Sequence, residues 1–420
     1  MKKIVVLLIL ICASLGWGQQ ANLNLDRTLY GYDIPGLTAR SLGMGGAGLA
    51  NGSAFLAATH NPALLINSRS GFSINGGIRL YNLEEDRSFP YYDNFGGFVD
   101  YGSYYYQNNW YNQMYGQVVW AGPKEWMNLH LGTGYIPFKS FDYDYFEEVR
   151  SSGFGDALLA YNIIKSSGNL FAIPLDIAVE PLKDLSLGLG LNFLTGDDVY
   201  RERIVPKALA LDTLKRSLEL NSSLDGMPII VQPGMSYHVD QRLTIGASYR
   251  LPYTVKTKTS ILQDSLRFSS SREVKYPARF GTGIDYRFQN ILSARLMLDY
   301  YYNFWSKLSD TGNIGRRFED TYSINVGVEQ TFFNNVDFRV GFAYQTLKET
   351  KSLTRTSVTA GLGFDFSNVE INLAAGFSNS NHNQKDLYDN ALYGKATRTD
   401  LDRVSWSETF GRIDFSYTFK

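Results

Sequence analysis

From residue 71 onward the chain repeats one pattern: apolar residues recur with a period of two, over stretches long enough, at about 9 to 11 residues, to cross a bilayer as tilted strands. In LSLGLGLNF, Leu185, Leu187, Leu189, Leu191 and Phe193 share one face, and Ser186, Gly188, Gly190 and Asn192 share the other. RLTIGASYRL sets Leu243, Ile245, Ala247, Tyr249 and Leu251 against Arg242, Thr244, Ser248 and Arg250. A charge on the inner face is costly in a dry sandwich core and acceptable in the wet lumen of a barrel. LSARLMLDYYYNFW alternates in the same way and ends its greasy face in aromatics, as an interfacial girdle does. Leu187, Leu189, Ile245, Ala247, Leu296 and Leu298 are therefore expected to face lipid.

The same reading predicts strands at 71–81, 113–121, 127–137, 170–180, 184–195, 228–238, 241–252, 278–288, 291–306, 320–331, 336–347, 354–366, 369–380 and 410–419. The fold class is all-β: a transmembrane antiparallel β-barrel of about 14 strands, an even number as bacterial barrels have. Long segments at 82–112, 138–169, 196–227, 253–277 and 381–409 alternate with tight turns such as EPLKD, HVDQR, FQN, FNN and FSN, which predicts long outer loops and short periplasmic turns. Residues 156–164 belong to the second outer loop or extend the fourth strand. The closing GRIDFSYTFK places Ile413, Phe415, Tyr417 and Phe419 on one face, resembling the C-terminal recognition signal of outer-membrane barrels, with Phe419 penultimate.

Composition agrees. Aromatics make up 15% of the chain, with 29 Tyr, and the mean hydropathy of -0.20 is too polar for a helical membrane protein. Forty basic against 41 acidic residues leave a net charge of -1, no field to attract nucleic acid. MKKIVVLLILICASLGWG reads as a signal peptide, residues 1–18, its apolar run being too short for an anchor. The one cysteine, Cys12, lies in that leader, so no disulfide framework or thiolate site is expected. His60, His130, His238 and His382 show no metal spacing, and no catalytic signature appears; neither metal, cofactor nor enzymatic activity is expected.

ARSLGMGGAGLANGSAFLAATHNPALL, residues 39–65, breaks the pattern. Its Gly43, Gly45 and Gly48 match a dinucleotide loop, but no strand precedes them, and Asn51-Gly52 and Pro62 would break the helix that must follow. An apolar, irregular segment ahead of the first crossing can be sheltered from lipid inside the barrel. Residues 19–70 are therefore expected to form a luminal plug, and 71–420 the barrel.

SAFLAATHNPALL, with Asn61, Pro62 and Ala63, resembles the N-terminal hatch of the FadL family of outer-membrane transporters for long-chain fatty acids and other hydrophobic compounds. PGMSYHVDQRLTIGASYRLPY and YPARFGTGIDYRF leading into LDYYYNFWSKL are similar to it as well. The resemblance implies a 14-stranded barrel in the Gram-negative outer membrane, passive uptake of apolar small molecules, and passage partly through a lateral opening. It implies that Phe55, Leu56, Asn61, Pro62, Ala63, Leu64 and Leu65 belong to the hatch and substrate path. Expected partners are outer-membrane lipid and lipopolysaccharide, a hydrophobic ligand and the barrel-assembly machinery. PorV-type barrels, which dock secreted proteins, share the Gly-Met-Gly-Gly and Asn-Pro-Ala features, and that function is the alternative.

Two further groups stand out. The aromatic-rich residues 89–113 read as an outer loop, either capping the barrel or capturing apolar molecules at its mouth. Glu84-Glu85-Asp86, Glu147-Glu148 and Asp197-Asp198 read as loop charge, solvated or bridging lipopolysaccharide through divalent cations.

Overall fold

A computed structural model describes residues 23–34, 36–69, 71–93, 95–123, 125, 127–151, 157–289, 294–313, 315–332, 335–394 and 400–419. The leader at 1–18 lies outside the described residues.

Fourteen antiparallel strands close into a barrel: β1 Gly71–Tyr92, β2 Phe98–Ala121, β3 His130–Ser140, β4 Leu158–Leu182, β5 Leu185–Pro206, β6 Ile229–His238, β7 Leu243–Arg250, β8 Arg279–Arg287, β9 Arg295–Asn303, β10 Thr321–Phe332, β11 Val336–Leu347, β12 Thr350–Phe366, β13 Val369–Gln384 and β14 Asp402–Thr418. Each pairs with the next in sequence, and β1 closes the ring on β14 from Ser73 opposite Thr418 to Ser88 opposite Arg403. Each expected strand coincides with one of these. Among the described residues no helix is long and apolar enough to cross a membrane; strands do the crossing.

The pleat sorts residues as the alternation requires. Leu187, Leu189, Ile245 and Leu298 are exposed on the outer face, with Ala247 and Leu296 half-buried beside them, while Thr244, Ser248, Arg295, Met297 and Asp299 are buried inside. An exposed apolar belt of this extent is solvated only by lipid.

The expected long loops are corrected: most of them are strand. β1 runs on to Tyr92 and β2 begins at Phe98, so residues 89–113 are largely hairpin rather than a capping loop. Residues 158–164 extend the fourth strand outward. The third and fourth long segments carry strands Arg216–Leu224, Tyr253–Gln263 and Leu266–Tyr276, paired with one another and with β5 from Asp197 to Ile204. The acidic groups are likewise on strands, and alternation turns Glu85 and Glu147 inward to buried positions. Glu85 accepts from Arg87 at 2.5 Å, and Glu147 accepts from Asn162 at 2.8 Å. The aromatics of β2 split by face: Tyr106 and Trp110 point out, and Tyr105 points in, stacking on Tyr145 at 4.3 Å.

Candidate functional site

The segment ahead of β1 contains helix α1 Leu23–Tyr30, helix α2 Ala39–Gly43, and 3-10 turns at Ala54–Leu56 and Pro62–Asn67. Irregular backbone needs partners for its polar groups, and inward side chains from around the wall supply them. The Asp299 carboxylate accepts from the Gly48 and Leu49 amides at 2.8 and 2.9 Å. The Thr359 hydroxyl accepts from Gly45 N at 2.9 Å and donates to Gly43 O at 3.1 Å. Ser236, Gln232 and Asn325 donate to Ala50 O, His60 O and Gly46 O at 2.7, 2.8 and 3.2 Å. On β14, Arg412 donates to Gly36 O at 2.7 Å, and Asp414 accepts from Ala39 N.

Close approach depends on glycine in the wall. A Cβ on Gly188 would stand 2.3 Å from Ala63 N, one on Gly234 2.0 Å from Asn61 Oδ1, and one on Gly341 2.0 Å from Gly45 N. Gly45 and Gly46 themselves have φ of +68° and +83°, where an L side chain is strained. The glycine pattern is thus a docking device and not a nucleotide loop.

Asn61 caps the turn at Pro62–Asn67: its Oδ1 accepts from Ala63 N at 3.1 Å, and its Nδ2 donates to Leu49 O at 3.0 Å and to Met235 O on β6 at 2.8 Å. Phe55 and Leu65 pack with Val119 and Ala178. Leu56 and Leu64 join a cluster that includes Ile136, Ala172, Leu194 and Ile230. Phe55, Leu56, Asn61, Pro62, Ala63, Leu64 and Leu65 are all buried. They pack against the wall, and none of them lines the cavity described next.

That cavity, of about 250 Å³, lies between the segment and the wall. Phe138, Trp305, Trp406 and Phe410 supply aromatic surface, while Arg27, Arg250, Arg279, Arg355 and Lys348 make it basic. Sequence reasoning placed Arg250 on an inner face but missed this convergence.

One wall seam is incomplete. The β2–β3 ladder runs from Ala121 opposite His130 to Gly116 opposite Tyr135 and stops. Pro137 lies two residues on, without an N–H to donate, and a bulge follows between Pro137 and Lys139 in the pairing with β4. The chain bends inward there, burying Ile136, Phe138, Lys139 and Ser140. A recess of about 380 Å³ occupies the seam, lined by Met114, Tyr115, Tyr135 and Phe171 among others. The N-terminal segment holds the inturned strand: Tyr32 pairs with Ser140 and Asp33 with Lys139 in a short antiparallel ladder.

No protein-family model and no curated protein sequence matches the chain. Solved structures do match its shape. A FadL homologue of Pseudomonas aeruginosa superposes with a TM-score of 0.67 at 15% identity, covering 93% of this chain and 100% of the other. The Pseudomonas putida toluene transporter TodX gives 0.65 at 15% identity, covering 92% and 99%. The Ralstonia pickettii toluene transporter TbuX gives 0.59 at 17% identity, covering 92% and 99%. The class defined is the FadL-type barrel. The fold implied by the sequence motifs is the fold observed, and at these identities the likeness is one of fold.

Proposed function

We propose that the protein is an outer-membrane channel for passive uptake of hydrophobic small molecules such as long-chain fatty acids, with residues 19–70 acting as a hatch. The observation that carries this reading is the interrupted β2–β3 seam. A closed ladder would force every solute along the polar lumen axis, whereas a break flanked by Tyr135 stacked on Phe171 at 4.5 Å offers an apolar exit into lipid. Substrate would pass from the outer rim to the luminal cavity and leave sideways, driven by its own gradient. No covalent step or cofactor is required. Two of the solved structures with this fold are toluene transporters, which supports an apolar cargo. Outer-membrane lipid and lipopolysaccharide around the belt, and the barrel-assembly machinery acting on β14, are the partners we propose with it.

The test is uptake of oleate, an alkane and toluene by cells making the protein, compared with cells lacking it, at a verified level of heat-modifiable folded barrel. Faster entry of at least one compound is expected. No acceleration of any would overturn the channel reading in favour of a PorV-like docking barrel.

A further inference from the structure

Deep in the lumen the barrel neutralises its arginines. Glu329 accepts from Arg40 at 2.6 Å and from Arg339 at 2.7 Å, and Arg295 donates to Asp285 at 2.6 Å. The cavity arginines are treated differently. Arg250 on β7 and Arg279 on β8 are direct cross-strand partners, both on the inner face. Among the described residues neither forms an ion pair. Arg279 sits 3.9 Å over the Tyr301 ring with its Nε unpartnered, and Arg250 sits 5.2 Å over the Phe138 ring with one long 3.5 Å bond to Gln232. Asp33, the carboxylate that the segment brings into this cavity, is engaged by Lys139 at 2.6 Å. Arg355, 4.2 Å over the Trp406 ring, lines the same cavity, also with an unpartnered Nε.

Like charges directly opposite one another on adjacent strands destabilise a sheet. Aromatic stacking holds the guanidinium planes and leaves their N–H edges for an acceptor. Glu349, the second carboxylate lining the cavity, stands 3.6 Å from Lys348, so the two carboxylates are each engaged by a lysine and leave Arg250, Arg279 and Arg355 undercompensated. A phosphate monoester, with a charge of nearly two and three terminal oxygens, can receive forks from both members of the pair. We infer that the cavity binds the headgroup of a phosphate monoester amphiphile, gripped between Arg250 and Arg279, with its apolar chain against the aromatic wall. This rests on the channel reading above and adds the class of substrate to it.

Binding of dodecyl phosphate, dodecanoate, dodecanol and inorganic phosphate to the full-length barrel in an uncharged detergent tests the inference. Dodecyl phosphate should bind roughly tenfold or more tighter than dodecanoate, the difference expected of one further charge-assisted bond. Arg250→Gln with Arg279→Gln should abolish that preference, weakening dodecyl phosphate far more than dodecanol. Should the double variant fail to fold, Arg250→Lys with Arg279→Lys keeps the charge and loses the forks, and should narrow the preference. Equal binding of dodecyl phosphate and dodecanoate by the unmutated protein would overturn the inference. So would inorganic phosphate competing as well as dodecyl phosphate, since the site would then serve a free anion. Dodecanol uptake by cells separates the two claims: uptake without a phosphate preference removes the inference alone, and a phosphate preference without uptake of any chain removes the channel alone.

Discussion

The Lys139 ammonium stands 2.6 Å from the Asp33 carboxylate, joining the inturned end of β3 to the segment ahead of the barrel. Lys139 is buried and its ammonium also lies 4.9 Å over the Tyr276 ring, so it has no exit to water. Asp33→Asn leaves that charge without its carboxylate. The cost should be on the order of 2 kcal/mol, reduced from that of a fully buried pair because the Asp33 side chain is half exposed. Release of the segment should raise outer-membrane permeability, read as sensitivity to a large antibiotic at constant folded barrel. Asp33→Asn with Lys139→Met should restore the barrier. If the double variant leaks as much as the single one, charge balance is not what holds the segment.

Replacing Asn61 and Pro62 together by Ala removes the cap of the turn at Pro62–Asn67 and the partners of Leu49 O, Met235 O and Ala63 N. The lost bonds should cost about 2–4 kcal/mol of segment docking. Wall ladders do not involve these side chains, so the heat-modifiable barrel should persist while uptake of an apolar substrate changes several-fold. Unchanged uptake across fatty acids, an alkane and toluene would remove the gating role.

Gly188→Ala sets a methyl 2.3 Å from the Ala63 amide, whereas Gly116→Ala meets no atom within 4 Å. The first should loosen the segment by about 1–3 kcal/mol, as overpacking does, and the second should be neutral. Limited proteolysis of folded protein reads the difference as cleavage within 36–67. Equal resistance of the two variants would show that the wall yields at Gly188.

Leu189→Arg on the lipid face of β5 should destabilise by about 2–4 kcal/mol if it lies near the midplane. Urea unfolding in bilayers measures it. An unchanged midpoint would place Leu189 outside the hydrocarbon.

His60 lies in the segment, with its Nε2 3.1 Å from Gly46 O and its Nδ1 2.8 Å from the Thr59 hydroxyl, an arrangement that suits the neutral ring donating from Nε2. Burial foremost, with the nearby Arg279 and Arg250, lowers its pKa from 6.5 to about 4. Since the folded value is depressed, the unfolded chain takes up a proton first. Stability is full above pH 6.5 and declines as pH falls towards 4, by about 3 kcal/mol in all. Segment protease resistance should fall across that window, and His60→Gln should flatten the profile. A window identical in the variant would assign the effect to other groups.

Legibility in the sequence followed the solvent. Where lipid bathes one face, as along Leu187 and Leu189, alternation is written in hydrophobicity and every crossing could be read. Beyond the bilayer the outer face of β2 carries Tyr106 and Trp110 beside Asn108 and Asn112, and the inner face carries Tyr105 and Tyr111, so the two faces look alike and the strand reads as a loop. Pro137 carried the signal of the broken seam, but it read only as the end of a strand. Arg250 and Arg279 are 29 positions apart, and their register is set across a hairpin, Tyr253–Gln263 with Leu266–Tyr276, that pairs elsewhere, so no spacing rule could bring them together. Gly188 and Gly190 of β5 looked like a small inner face; that they join Gly234 of β6 and Gly341 of β11 in a seat for the segment follows only from the closed ring.

The grip of β14 on the N-terminal segment also sets an order of events. Arg412 and Asp414, which hold Gly36, Leu37 and Ala39, belong to the same strand whose pairing with β1 closes the ring. Arg412 follows Gly36 by 376 positions, so the segment leaves the ribosome well before the residues that clasp it. Until the ring closes the early segment is without these partners, so ring closure and clasping become one event. A chain shortened before Arg412 loses the lock and the key together, and presents both an open sheet edge and an unhoused apolar segment to whatever escorts it.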